Sequence, residues 1–170
     1  MKRRSFRFHG VSALVFTLLL PLVACSGEKS RLTWMSFSDG VREAQRTHKK
    51  LLVDVYTDWC GWCKRMDATT YADANLAKYL NAHYILVKLD AESPRAQTFQ
   101  GKQFTEQQLA GAFGVTGYPS TLFLKAEGEL ITVYPGYADA QRFGNVVAFI
   151  AEDHYLTRSF DEFVSSRSSR

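Results

Sequence analysis

Apolar residues recur along the chain with two periods. Leu51-Leu52-Val53-Asp54-Val55-Tyr56 is apolar except at Asp54 and predicts a buried strand, and Tyr84 to Leu89, closed by Asp90, predicts another. Ser120 to Lys125 and Leu130 to Tyr134 predict a hairpin turning at Glu127-Gly128-Glu129. Helical spacing appears in Asp39 to His48, where Val41, Ala44 and Gln45 share a face, and in Ala138 to Asp153, where Phe143, Val146, Val147 and Ile150 point inward. Further helices are expected from Cys60 to Thr69, from a cap at Asp73 to Asn81, and from the capping box Thr105-x-x-Gln108 to Phe113. Ala91 to Phe104, with Pro94 and Gly101, reads as irregular. The order αβαβαββα predicts an α/β fold, a mixed sheet of about four to five strands with helices on both faces.

The first residues stand apart from that pattern. Lys2, Arg3, Arg4 and Arg7 precede Val11 to Val23, which is apolar apart from Ser12 and Thr17. The run is too short to span a bilayer comfortably and is interrupted by Pro21, so residues 1–24 read as an export signal. Leu22-Val23-Ala24-Cys25 resembles the bacterial lipobox, which implies cleavage before Cys25 and a lipid on that cysteine. Residues 25–33 would then be a tether, 34–156 the folded domain and 157–170 a tail, frayed over its Ser/Arg-rich end from Ser165. Four of the 21 Lys+Arg lie in the signal, leaving 17 against 17 Asp+Glu. A formally neutral remainder offers no electrostatic case for nucleic-acid binding.

The densest chemistry is Trp59-Cys60-Gly61-Trp62-Cys63-Lys64, between a strand and a helix. Two cysteines three positions apart at a helix start can close a small disulfide ring, and the helix N-terminus favours a thiolate on the first. Cys60 is the expected attacking thiolate and Cys63 the buried resolving thiol. The competing zinc site needs two more ligands, and Cys25, His9, His48, His83 and His154 are scattered singly. No metal and no cofactor are expected.

Val53 to Lys64, Val87-Lys88-Leu89-Asp90 and Val115-Thr116-Gly117-Tyr118-Pro119-Ser120-Thr121 together resemble the thioredoxin superfamily over Trp34 to Leu156. The lipobox, the long segment before the proline and Tyr134-Pro135-Gly136-Tyr137 are similar to periplasmic thioredoxins, including those that accompany bacterial sulfur-oxidation clusters. The resemblance implies that Asp54 is a buried carboxylate relaying a proton for Cys63, with Lys88 its neighbour on the adjacent strand. It also implies a cis peptide at Pro119, substrate backbone hydrogen bonds at Tyr118 and an apolar face at Trp59 beside Cys60. Gly61-Trp62 departs from the Gly-Pro of thioredoxin and the Pro-His of the oxidising periplasmic family. Trp62 offers no imidazolium to hold a thiolate, which points toward a reducing protein.

The expected function is therefore a membrane-tethered, periplasmic thiol–disulfide oxidoreductase, monomeric, acting as a reductase. It would draw electrons from a membrane thiol donor, act on protein or small-molecule disulfides, and contact the bilayer through Cys25. An oxidase or isomerase is the alternative, as is a copper-delivery protein of the same fold, although those resemble C-x-x-x-C with a distant histidine. Ser93 to Phe104 is longer than the matching connection in compact thioredoxins. It is expected either to flank the cysteines and restrict partners or to be a surface excursion.

Overall fold

A computed structural model describes residues 31–168, so the expected signal, the lipobox and Cys25 lie outside the described residues. Strand β1 (Trp34–Met35) leads into helix α1 (Phe37–Thr47), strand β2 (Lys50–Tyr56) and helices α2 (Gly61–Thr69) and α3 (Ala74–His83). Strands β3 (Tyr84–Asp90), β4 (Ala96–Phe99) and β5 (Lys102–Thr105) precede helix α4 (Glu106–Ala112). Strands β6 (Ser120–Leu124) and β7 (Leu130–Pro135), then helices α5 (Ala140–Ala151) and α6 (Phe160–Ser168), complete the fold. Among the described residues no helix is long and apolar enough to cross a membrane.

The main sheet has the order β1-β3-β2-β6-β7, with β2 parallel to β3 and antiparallel to β6. Because strand side chains alternate between faces, β2 divides its residues. Leu51, Val53 and Val55 enter a core with Phe37, Val41 and Ala44 of α1 and Leu109 and Ala110 of α4. Leu52 enters a second core with Met66 of α2, Leu76 and Leu80 of α3, and Phe143, Val146, Val147 and Ile150 of α5. Asp54 shares the phase of Leu52. Burial on both faces explains why β2 reads as a nearly unbroken apolar run.

Several expectations change. Helix α1 starts at Phe37, capped by Ser36, and it buries Phe37, Gly40, Val41 and Ala44 while Gln45 is exposed. The segment expected to be irregular contains the hairpin β4–β5, whose turn Gln100-Gly101 has positive φ at both residues, 50° and 74°. That backbone twist matches the twist of paired strands, and glycine adopts it at no steric cost. Gln97 accepts from the Ser38 N–H and hydroxyl at 2.9 and 2.8 Å, and the Phe99 ring meets Phe37 edge-on at 5.3 Å, so the hairpin lies along α1. A side-chain carbon at Gly128, in the β6–β7 turn, would meet Phe99. That turn is at the end of the sheet remote from Cys60, because Leu51 pairs with Leu124 whereas Val55 pairs with Ser120. The hairpin thus packs as a satellite of the α1–α4 core, and its tip does not flank the cysteines.

The frayed end is also replaced, by α6. Ser159 and Glu162 form reciprocal side-chain to backbone bonds of 2.9 and 3.3 Å, and Phe163 is buried against Phe149. Ser159-Phe160-Asp161-Glu162 is a capping box visible in the sequence.

Candidate active site

Cys60 and Cys63 form a disulfide where β2 hands over to α2. Cys60 is the N-cap of α2: its backbone is extended, and its Sγ accepts from the Cys63 N–H at 3.1 Å. A sulfur in that position receives the unpaired donors and positive dipole end of the helix, which favours a thiolate once the disulfide opens. In the closed form both sulfur residues are nearly covered, 4% exposed at Cys60 and 3% at Cys63. The expected contrast between an open Cys60 and a buried Cys63 is therefore not present in the disulfide state.

The rim is aromatic. Trp59 and Trp62, 66% and 55% exposed, stand on either side of Cys60 in the chain. Trp59 packs edge-on against Tyr118 at 6.0 Å and donates its indole N–H to Glu92 at 2.9 Å. The Tyr118–Pro119 peptide is cis, as expected, and Pro119 is buried. Its carbonyl accepts from the Gly136 N–H at 2.8 Å, which brings the segment after β7 to the rim. There Tyr137 lies 5.4 Å from the Trp62 ring, and Arg65 sits over both, 5.3 Å from Trp62 and 5.5 Å from Tyr137.

Beneath the helix is a buried charge network. Asp54, 2% exposed, is paired across the sheet with Lys88 on β3 and with Thr121 on β6, two residues beyond Pro119. Lys88 Nζ donates to Asp54 Oδ2 at 2.5 Å and to Asp67 Oδ1 of α2 at 2.6 Å. It also lies over the rings of Trp34, Tyr56 and Tyr71, at 5.0, 5.0 and 5.6 Å. Asp67 is four residues after Cys63, so the two side chains share a helix face, directed at this network. Among the described residues a cavity of about 580 Å³ is lined by Trp34, Asp67, Tyr71 and Lys88, giving the network an opening toward solvent.

Burial holds the Asp54 carboxyl above its ordinary value, and the nearby Asp67 charge adds to that, while Lys88 opposes it. For Lys88, burial disfavours the ammonium but Asp54 and Asp67 outweigh it, and the net shift is upward. Burial and the Asp54 charge push the Tyr71 phenol well up. Asp54 Oδ1, the Tyr71 hydroxyl and the Thr121 hydroxyl lie together, yet none completes a hydrogen bond of good geometry there. A buried oxygen without a hydrogen-bond partner, next to a lysine that reaches the helix carrying the disulfide, is able to accept a transient proton.

The structure thus groups Cys60, Cys63, Trp59, Tyr118 and Pro119 at one rim and Asp54 with Lys88 below it. Sequence reasoning missed Asp67, Tyr71 and the Trp62–Arg65–Tyr137 stack. Asp67 carried a signal in its i+4 spacing from Cys63, and Arg65 in its i+3 spacing from Trp62. Tyr137 is brought in only by the tertiary fold. Among the described residues no group of three or more His, Cys, Asp and Glu side chains is placed to hold a metal ion.

Residues 37–151 match the family described as thioredoxin-like domain. The chain is 28% identical over 133 residues to the disulfide bond reductase DsbH of Chlamydia pneumoniae, covering 69% of this chain and 80% of that protein. It is 30% identical over 106 residues to the thiol:disulfide interchange protein DsbD of Ralstonia nicotianae, covering 62% of this chain and only 16% of that protein. A thioredoxin-fold protein from Helicobacter pylori superposes with a TM-score of 0.62 at 19% identity, covering 71% of this chain and 80% of that one. At that identity the last similarity speaks for the fold.

Proposed function

The chain belongs to the thioredoxin-like domain family, and we propose on that ground that it catalyses thiol–disulfide exchange through Cys60 and Cys63, as a reductase. The observation that carries the reading is the Cys60–Cys63 disulfide at the N-cap of α2, where the Cys63 N–H already points at the Cys60 sulfur. The name of the Chlamydia pneumoniae relative, a disulfide bond reductase, supports the direction.

Reduction begins with the Cys60 thiolate attacking one sulfur of a substrate disulfide. A Cys60–substrate disulfide forms, and the other substrate sulfur leaves as a thiolate that takes a proton from water. Cys63 then gives its proton to the Asp54 carboxylate and attacks Cys60 Sγ. The second substrate thiolate leaves, and the Cys60–Cys63 disulfide closes. Two electrons pass from the protein dithiol to the substrate disulfide. Asp54 suits this step because burial raises its affinity for a proton toward working pH. Lys88 and Asp67 return that proton to solvent through the cavity they line. Trp59 and Tyr118, with Pro119 buried beside them, present the surface against which an extended substrate segment lies.

The reading extends to location. The basic and apolar residues 1–24 act as an export signal, and Cys25 carries lipid that tethers the domain on the periplasmic side of a bacterial membrane. A membrane thiol donor re-reduces the pair. Trapping tests the assignment. Cys63→Ala should accumulate mixed disulfides with substrates and Cys60→Ala should not; the reverse result overturns the roles. Titration of the pair against dithiothreitol decides the direction, since a potential near the oxidising end of the family range, about −120 mV, would make the protein an oxidase. Cys25→Ser should abolish palmitate labelling and release the protein from membranes.

A further inference from the structure

The Trp62–Arg65–Tyr137 stack has no part in the exchange steps above, yet it stands on the rim where a substrate must arrive. Trp62 lies inside the loop closed by the Cys60–Cys63 disulfide. Tyr137 follows Gly136, whose N–H is bonded to the Pro119 carbonyl, so the stack spans from the cysteine loop to the proline segment. Positive φ at Gly136, 80°, makes that turn possible. Arg65 is held over both rings, and Tyr137 is anchored in turn by Thr69, whose hydroxyl lies 3.3 Å from the phenol.

Among the described residues Arg65 forms no ion pair with a carboxylate, unlike Arg42, Arg46 and Arg95, which pair with Asp39, Glu43 and Glu106. Arg65 is exposed, and although its guanidinium also reaches the Tyr137 phenol, its five N–H donors leave an edge free to match a carboxylate. The arrangement is one-sided. Near Trp59 the exposed charges are acidic, Asp58 and Glu92, with Glu92 on the Trp59 indole. Lys64, the other cation of this turn, is about 200° around the helix from Trp62 and so points away from the stack.

We propose that Arg65, braced by Trp62 and Tyr137, is a specificity-determining residue that favours substrates carrying an Asp or Glu side chain beside the disulfide. The proposal rests on the exchange activity described above. The ammonium-rich surroundings of a basic substrate would gain nothing at this side of the rim. A carboxylate one or two residues from the substrate cysteine gains a charge-assisted hydrogen bond without first having to order the guanidinium.

The test uses three cysteine peptides, identical except for Glu, Gln or Lys beside the cysteine, each carried as a disulfide with thiopyridine. Release of the thiopyridine by the reduced protein reports attack. Wild type should react in the order Glu, Gln, Lys, with steps of about two- to fivefold at low ionic strength, as expected for a partly exposed ion pair. Raising the salt should compress that order. The Glu-to-Gln rate ratio is read within each variant, so a general loss of activity cancels. Arg65→Gln should bring the ratio close to one, Arg65→Lys should retain part of it, and Lys64→Gln should retain it. Equal rates for the three peptides in wild type overturn the proposal while leaving exchange intact, as does loss of the ratio in Lys64→Gln alone. Failure of every peptide to react overturns the exchange reading, and this one with it.

Discussion

Among the described residues two carboxylates are buried, one on each face of the sheet, and their surroundings differ. Asp54, on the α2 face, is bonded to an ammonium that is itself shared with a half-exposed carboxylate, Asp67. Glu106, at the first turn of α4 on the opposite face, accepts from the Gln97 amide at 2.8 Å and from Arg95 at 3.3 Å. Each leaves one oxygen without a hydrogen bond among the described residues. The contrast lies in what the partners can do with a proton. An amide and a guanidinium cannot pass one on, whereas a lysine and an aspartate can. Glu106 also stands in a chain of fixed bonds, since Gln97 binds Ser38 of α1 and the Glu106 N–H binds the Arg95 carbonyl. Burial alone therefore does not separate the two carboxylates; their partners do, and the proposed proton transfer at Asp54 depends on that difference.

The strongest break of this comparison is a pair of isosteric substitutions. Asp54→Asn should slow resolution of a Cys60 mixed disulfide by about 10²-fold or more, the usual contribution of a positioned general base. Glu106→Gln should leave that rate within about twofold, well under 1 kcal/mol. Stopped-flow measurement of substrate thiol release checks both. Equal slowing by the two variants would show that both carboxylates act through the stability of the fold.

Next in size is Glu106→Ala, which strips the Gln97 amide and Arg95 of their shared acceptor in a buried place. The expected cost is about 2–4 kcal/mol, read as a lower urea midpoint. Loss of the hairpin's hold on α1 should appear as faster hydrogen exchange at Thr98, whose N–H donates to Ser38 Oγ at 2.7 Å. A midpoint near that of wild type would mean the Ser38–Gln97 bonds hold the hairpin unaided.

The legibility of the two carboxylates in the sequence follows from the same difference. Asp54 interrupts an apolar run, and its likeness to thioredoxin pointed to Lys88, which the strand register then places opposite it. Strands β2, β3, β6 and β7, the Asp73 cap and the Thr105–Gln108 capping box are equally readable, because each is set by local periodicity or by spacing of three. Nothing in the sequence singles out Glu106, which occupies the first turn of α4, where an acid is favourable for the helix dipole whether or not it is buried. Only the return of β4 across α1 buries it, and that return hinges on two residues, Gln100 and Gly101, in a segment whose Pro94 suggested irregularity. Contacts such as Tyr137 on Arg65 join residues 72 positions apart and leave no local trace.

A smaller effect concerns stability against pH. The Asp54 carboxyl is raised in the folded state, so the folded chain keeps this proton to higher pH than the unfolded chain does. As pH climbs from the ordinary carboxylate value through the raised one, the unfolded state has already ionised and wild type loses stability. Asp54→Asn does not titrate there, so its melting temperature relative to wild type should rise across that window and be level below it. The variant also leaves Lys88 without one carboxylate, but Lys88 stays charged throughout that window, so this loss is a constant offset and the slope is diagnostic. A difference independent of pH would mean that Lys88 neutralises the burial of Asp54 in full.

The smallest expected effect, and the one that most directly probes the exit route, is Asp67→Asn. The Asp67 charge raises the Asp54 carboxyl and also competes with it for the Lys88 ammonium. Removing that charge lets Lys88 turn fully to Asp54, so the carboxyl should move down and the pH profile for resolution should shift to lower pH. The plateau rate should stay within about threefold, less than 1 kcal/mol, because no group touching the sulfurs is altered. Tyr71 and Thr121 also face Asp54, and neither phenol nor hydroxyl ionises in that range, so they cannot mimic the shift. The same substitution at Asp39, which pairs with Arg42 at the surface, should leave the profile where it is. A profile unmoved by Asp67→Asn would confine the working unit to Asp54 and Lys88, and the face carrying the disulfide would then differ from the Glu106 face by one lysine.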